Sequence, residues 1–158
     1  MMLDKIVISD LLSKECVLTD LVANTKLDVI EKMTDRLCSA GAISDKKGFI
    51  QDVLAREELG STGFENQIAI PHGKSPWVRE TRIAVAKLKH TVDWETMDST
   101  DVKLVILFAV KDADSGAGHI RVLAKISIAL GDDDTVEKLL NANSQEELYG
   151  LIVNNTEE

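Results

Sequence analysis

The chain has 158 residues, enough for one domain with a real hydrophobic core, and its 44% hydrophobic and 28% charged content is that of a globular protein, not a disordered one. A formal net charge of -9 argues against nucleic acid, whose phosphates must be met by clustered Lys and Arg, and against adsorption to an anionic membrane surface. No stretch approaches the roughly 20 apolar residues that cross a bilayer, and residues 1–12 carry acids around only a brief apolar run, Ile6-Val7-Ile8, unlike a secretory signal.

Cys16 and Cys38 show neither metal-ligand spacing nor a disulfide framework, as expected of reduced cysteines in a reducing compartment. The expectation is one domain over residues 1–158, soluble and cytoplasmic. Its acidic surface suits a basic partner protein, charge speeding the encounter more than tightening it.

In chain order, Ser9 or Asp10 can cap a short turn around Leu11 and Leu12, and Cys16-Val17-Leu18 reads as a short strand. Asn24 or Thr25 caps a helix, with Asp28 standing where a capping box carries Glu; Leu27, Ile30, Met33 and Leu37 form its apolar face, and Gly41 stops it. Ser44 or Asp45 caps a second helix whose apolar face is Phe49, Ile50, Val53 and Leu54 and which Gly60 ends. Arg56 suits the last turn of that helix, where a cation meets the negative end of the dipole, but Glu57 and Glu58 have the wrong sign there and point to something nearby.

A polar, glycine-rich loop, residues 60–67, follows, then the strand 68–70 leading to Pro71-His72-Gly73. Pro71 fixes its own φ and pushes Ile70 toward an extended conformation, so the backbone entering His72 is stiff. Gly73, lacking Cβ, lets another molecule approach the imidazole. His72 thus reads either as a presented side chain at a strand end or as the exposed histidine of a tight turn.

Residues 82–89 form a second strand, and residues 102–110, nearly all apolar, a central strand covered on both faces. Pro76-Trp77 and Trp94 lie in connections and are expected to lid the sheet ends. After a polar loop, residues 111–118, His119 opens a helix with Ile120, Leu123, Ala124, Ser127 and Leu130 inward, broken at Gly131; residues 135–140 and 144–153 add two scaffold helices. Strands interleaved with helices predict an α/β fold: a mixed, largely parallel central sheet with helices on both faces.

His119 sits where a helix start favours an anion, and in open α/β sheets ligands bind beyond the carboxyl ends of strands, so His72 and His119 are expected to share one crevice. His119 can equally be a half-covered helix-start residue, and His90 reads as solvated punctuation at a strand end. The three histidines lack metal-ligand spacing, so no metal and no other cofactor is expected, and Ser61 lies in no nucleophile elbow. Phosphoryl transfer through histidine needs an exposed imidazole, a second group to hold it and a cation; His72, His119 and Arg56, with Thr62 and Gly63 in the loop between, can supply them.

The segment Arg56-Glu57-Glu58-Leu59-Gly60-Ser61-Thr62-Gly63 with Ile68-Ala69-Ile70-Pro71-His72-Gly73-Lys74 resembles the signature of the fructose/mannitol-type (type 2) EIIA component of the bacterial phosphoenolpyruvate-dependent sugar phosphotransferase system. Gly118-His119-Ile120 with Leu123 and Ala124 is similar to that family's second histidine at the head of a helix.

The resemblance, over residues 11–152, implies a histidine phosphocarrier: His72 accepts a phosphoryl group from phospho-HPr and passes it to a cysteine of a sugar-specific EIIB partner. It further implies that His119 lies beside the ring, that Arg56 is the cation near the phosphoryl group, and that Thr62, Gly63 and Gly73 line the phosphate pocket. Glu65 stands where the family pattern has Gly or Ala, which adds negative charge near the site. A fructose-like sugar is favoured; the alternatives are a nitrogen-type regulatory EIIA that transports no sugar, or a pure binding module.

Overall fold

The computed structural model describes residues 8–112 and 117–156, the side chains of residues 117–120 excepted. Two short turns, Ile8–Asp10 and Lys14–Cys16, lead into β1 (Val17–Leu21). Helix α1 (Lys26–Ser39) starts where the Thr25 hydroxyl accepts the Asp28 N–H at 3.0 Å, while the Asp28 carboxylate accepts from Asn24 N–H at 3.2 Å. Helix α2 (Lys46–Glu58) begins after Asp45.

The core strands are β2 (Ile68–Ala69), β3 (His72–Ser75), β4 (Arg82–Val92) and β5 (Val102–Lys111), followed by α3 (Ala117–Leu130), α4 (Asp133–Leu140) and α5 (Gln145–Thr156). The order across the sheet is β1-β4-β5-β2, with β3 also on β5. Pairing is parallel for β1 on β4 and for β2 and β3 on β5, and antiparallel between β4 and β5. The mixed, largely parallel sheet expected from sequence is present.

Side chains alternate across a strand, so the sheet feeds two cores. On one face Ala84, Ala86, Val105, Leu107 and Ala109 pack with Ile30, Met33 and Leu37 of α1 and Phe49 and Val53 of α2. On the other, Ile83, Val85, Leu104, Ile106 and Phe108 meet Val122, Ile126 and Leu130 of α3, Val136 and Leu139 of α4, and Leu148 and Ile152 of α5. Central β5, apolar on both faces, is the strand that unites these layers.

Three expectations shift. Leu27 is 43% exposed, because it lies in the first turn of α1, outside the face carrying Val29, Ile30 and Met33. In α3 Leu130 is buried and Leu123 half-buried against the core, as expected, but Val122 and Ile126 are the other inward residues, whereas Ala124 is exposed and Ser127 only half-buried; Ile120 lies outside the described side chains. Trp94 is buried as a lid, but Trp77 is 41% exposed and lies against the backbone of α2, where a Cβ on Gly48 would fall 2.2 Å from its Nε1.

Candidate active site

His72 opens β3 instead of ending β2. Pro71 interrupts the edge, yet β5 accepts chain on both sides of the break: Ile68 and Ala69 pair with Leu104 and Val105, then His72 and Gly73 with Phe108 and Ala109. Pro71 has no N–H to donate, but its carbonyl accepts the Phe108 N–H at 2.9 Å, which keeps the interrupted edge in register. Residues paired across a sheet share a face, so His72 lies on the Phe108 side, under the layer of α3, α4 and α5.

The half-buried imidazole is held by a hydrogen bond: its Nδ1 lies 3.0 Å from the Ile70 carbonyl oxygen. A carbonyl only accepts, so Nδ1 carries the hydrogen and donates it; the neutral ring then has its lone pair at Nε2. The strand break thus places the Ile70 carbonyl against Nδ1 and leaves the lone pair of the neutral ring at Nε2.

The glycine-rich loop builds the wall that holds Ile70. The Thr62 carbonyl accepts Ile70 N–H at 3.0 Å, Phe64 N–H donates to Ile68 O at 2.7 Å, and Gly63 bridges Ala69 antiparallel. Gly63 is required by contact: a Cβ there would fall 1.8 Å from the Glu95 carbonyl oxygen, which already accepts the Ser61 hydroxyl at 2.6 Å. The far end of the loop turns through two left-handed residues, Asn66 (φ 58) and Gln67 (φ 69). Asp98 accepts Asn66 N–H at 2.9 Å, and the Thr100 hydroxyl accepts Gln67 N–H at 3.1 Å. The Asn66 and Thr100 hydrogen bonds hold the Asp98 carboxyl below its ordinary value of 3.8.

Glu57 explains its own wrong sign. Its side chain, 5% exposed, takes Lys26 Nζ at 2.6 Å and Thr62 N–H at 3.3 Å on Oε1, and the Thr62 hydroxyl on Oε2. Lys26 also lies 4.9 Å from the centre of the Trp94 ring. Glu57, Lys26, Ser61 and Asp98 went unassigned in the sequence; the signal available was a pair of acids at a helix C-terminus.

The other expected site residues fall as follows. Gly73 faces the other core, where a Cβ would lie 2.8 Å from Val53 Cγ2 and 3.3 Å from Phe49 Cε1; its bareness admits α2, not an incoming molecule. The Thr62 hydroxyl has already given its hydrogen to Glu57. Arg56, half-buried at the end of α2, donates from Nη1 to the Gly60 carbonyl at 2.8 Å. Residue 119 lies in the first turn of α3, the helix covering the Phe108 face past the carboxyl end of β5, but its side chain is outside those described. His90 is exposed near the end of β4, and Glu65 is half-buried in the loop.

The mixed sheet between two helical layers is a fold shared with several solved structures. The nitrogen regulatory protein IIA-Ntr from Neisseria meningitidis superposes with a TM-score of 0.83 at 24% identity, covering 92% of this chain and 98% of that one. The crystal structure of IIA mannitol from Escherichia coli gives 0.73 at 26% identity over 89% of this chain and 97% of that one. A complex of enzyme IIAMTL with phosphorylated enzyme IIBMTL from Escherichia coli gives 0.76 at 24% identity, covering 91% of this chain and 99% of that one.

Residues 10–155 match the family model for the phosphoenolpyruvate-dependent sugar phosphotransferase system, EIIA 2, and the chain belongs to that family. Among curated relatives, the 2-O-alpha-mannosyl-D-glycerate-specific EIIABC component of Escherichia coli K12 is 33% identical over 79% of this chain. The nitrogen regulatory protein of Bradyrhizobium diazoefficiens is 30% identical over 92% of this chain and 94% of its own length. The chain spans only 19% of the mannosylglycerate component, and 23% of a fructose-specific EIIABC component of Bacillus subtilis to which it is 30% identical over 92% of its own length. Among the described residues no helix is long and apolar enough to cross a membrane.

Proposed function

We propose that the protein is a histidine phosphocarrier that accepts a phosphoryl group on Nε2 of His72 from phospho-HPr and passes it to the cysteine of a sugar-specific EIIB component. The observation that carries this reading is the Nδ1–Ile70 hydrogen bond, which leaves Nε2 as the only ring nitrogen with a free lone pair. In the acceptance step the Nε2 lone pair forms the new N–P bond as the donor's N–P bond breaks, and the donor ring leaves with that electron pair. The accepting ring becomes electron-poor as the bond forms, so its Nδ1–H donates more strongly to Ile70 at that moment. In the delivery step the EIIB thiolate forms an S–P bond and Nε2 recovers its pair.

Arg56 and His119 complete this reading as the cation and the second imidazole at the phosphoryl oxygens. Arg56 meets the phosphoryl group by exchanging its bond to Gly60, and His119 from the head of the helix above the His72 face. The partner assignment draws support from the complex of IIAMTL with phosphorylated IIBMTL. A fructose-like sugar is the first reading of purpose. The second, a nitrogen-type regulator controlling partner proteins by its phosphorylation state, draws on the relative from Bradyrhizobium diazoefficiens.

Incubation with phosphoenolpyruvate, enzyme I and HPr, followed by intact-mass analysis, tests the chemistry. The wild type gains one phosphoryl group, His72→Ala gains none, and Arg56→Ala gains it more slowly. No gain on wild type, or equal gain on His72→Ala, overturns the reading. Passage of the group onward to EIIB and sugar favours transport over regulation.

A further inference from the structure

The acidic pair before the loop is the strongest feature that the phosphocarrier reading does not use. Glu57 stands at the C-terminus of α2 and Lys26 at the N-terminus of α1, so each opposes the dipole of its own helix. Glu57 is also nearly dry, and a buried carboxylate survives only when its oxygens are filled. They are filled by Lys26 and by both donors of Thr62. Two charges misplaced in their helices are therefore each neutralised by the other, with Thr62 caught between.

Thr62 is the residue whose carbonyl takes the Ile70 N–H, and the carbonyl of Ile70 takes the His72 Nδ1–H. One continuous run of hydrogen bonds thus leads from the ion pair to the imidazole: Lys26, Glu57, Thr62, Ile70, His72. A second run braces the same loop, with the Glu95 carbonyl on the Ser61 hydroxyl and Met97 N–H on the Phe64 carbonyl. Its chain begins at Trp94, over whose ring Lys26 sits. The loop is pinned to two elements, and Lys26 touches Glu57 on one side and the Trp94 ring on the other.

We propose that Glu57, clamped by Lys26, is a positioning residue that sets the ring orientation and the Nδ1–H tautomer of His72 through Thr62 and Ile70. The proposal rests on the reading of His72 as phosphoryl acceptor only for its effect on rate; the tautomer is a property of the resting protein. Glutamine at position 57 has the size of glutamate, but it removes the charge that holds Lys26 and replaces one of the two accepting oxygens by an amide nitrogen, so the clamp weakens. Ile70 then moves relative to the ring, and a displacement of this kind at a nucleophile costs about tenfold to a hundredfold in rate.

The test is long-range proton–nitrogen NMR of the histidine rings, with His72→Ala assigning the signal among three histidines. It is run together with the rate of phosphorylation by phospho-HPr. Glu57→Gln and Thr62→Val are expected to lower the Nδ1–H fraction of His72 and slow acceptance at least about tenfold, while Thr62→Ser, keeping the hydroxyl and the N–H, restores the wild-type tautomer. If Glu57→Gln fails to fold, the Thr62→Val and Thr62→Ser pair decides alone.

A folded Glu57→Gln or Thr62→Val protein with the wild-type tautomer overturns the proposal, whatever its rate. A wild type that accepts no phosphoryl group overturns the phosphocarrier reading instead, and the tautomer comparison still decides the clamp.

Discussion

Two carboxylates grip the same loop from opposite ends. Glu57 holds Thr62 at the end nearer His72, with its side chain 5% exposed and a lysine against it. Asp98 holds Asn66 at the far end, on the surface, with hydrogen bonds from Asn66 and Thr100 and no lysine or arginine paired to it among the described residues. The chemical task is identical, a carboxylate accepting loop N–H and O–H donors, but the surroundings differ. Burial makes each missing partner of Glu57 costly, whereas water can replace any partner of Asp98. Rigidity is therefore concentrated where the imidazole is carried, and the distal turn is held by local chemistry alone.

The largest effect lies at the buried end. Besides its influence on the ring, Glu57→Gln is expected to lower folding stability by about 2 kcal/mol, less than a fully buried pair because Lys26 keeps some access to water. Denaturant unfolding measures this, and a loss within error of zero would make the two ends equivalent.

A smaller effect of opposite sign is expected at the distal turn, where Gln67 sits at φ 69 although a side chain is disfavoured there. Gln67→Gly is expected to stabilise the protein by about 1 kcal/mol or less, the relief of left-handed strain being offset by the added freedom of the unfolded chain. Its phosphorylation rate stays at wild type, since the substitution leaves Glu57, Thr62 and Ile70 in place. A slowed rate would mean that both ends of the loop govern the ring.

The smallest effect is a pH dependence at Asp98. Because its carboxyl titrates below 3.8 in the folded protein, its contribution is fully present above that value and is lost as the pH falls through the folded pKa. The Asn66 amide proton, followed by NMR in acid, is expected to shift with a midpoint below 3.8. A midpoint at or above that value would show that Asn66 does not hold the charged form.

How much of this was legible in the sequence depended on whether the cause was local. The Thr25 cap and the nearly continuous apolar run of β5 are local signals, and both elements stand where they were expected. The inward face of α3 is only half legible, Leu123 and Leu130 packing as expected and Ala124 and Ser127 not, because residues 120–130 are apolar on nearly every side. Two overlapping helical stripes sharing Leu130 fit equally well, and only the packing against the core of Ile106 and Phe108 selects Val122 and Ile126.

At the site, the sequence showed a stiff Pro71-His72 and two acids with the wrong sign. The explanation of each came from afar. Lys26 lies 31 residues before Glu57, and β5, which pairs with both sides of the break at Pro71, lies more than 30 residues after it. Gly73 was misread for the same reason, since its missing Cβ is filled by α2 across the sheet.

The central claim is that the break at Pro71 commits Nδ1 of His72 to Ile70 and leaves Nε2 to react. The most direct measurement is nitrogen-15 NMR of the protein after phosphorylation by phospho-HPr, with the His72 signals identified. The account predicts a phosphorus-coupled Nε2 and a proton retained on Nδ1. A phosphoryl group found on Nδ1 would contradict it.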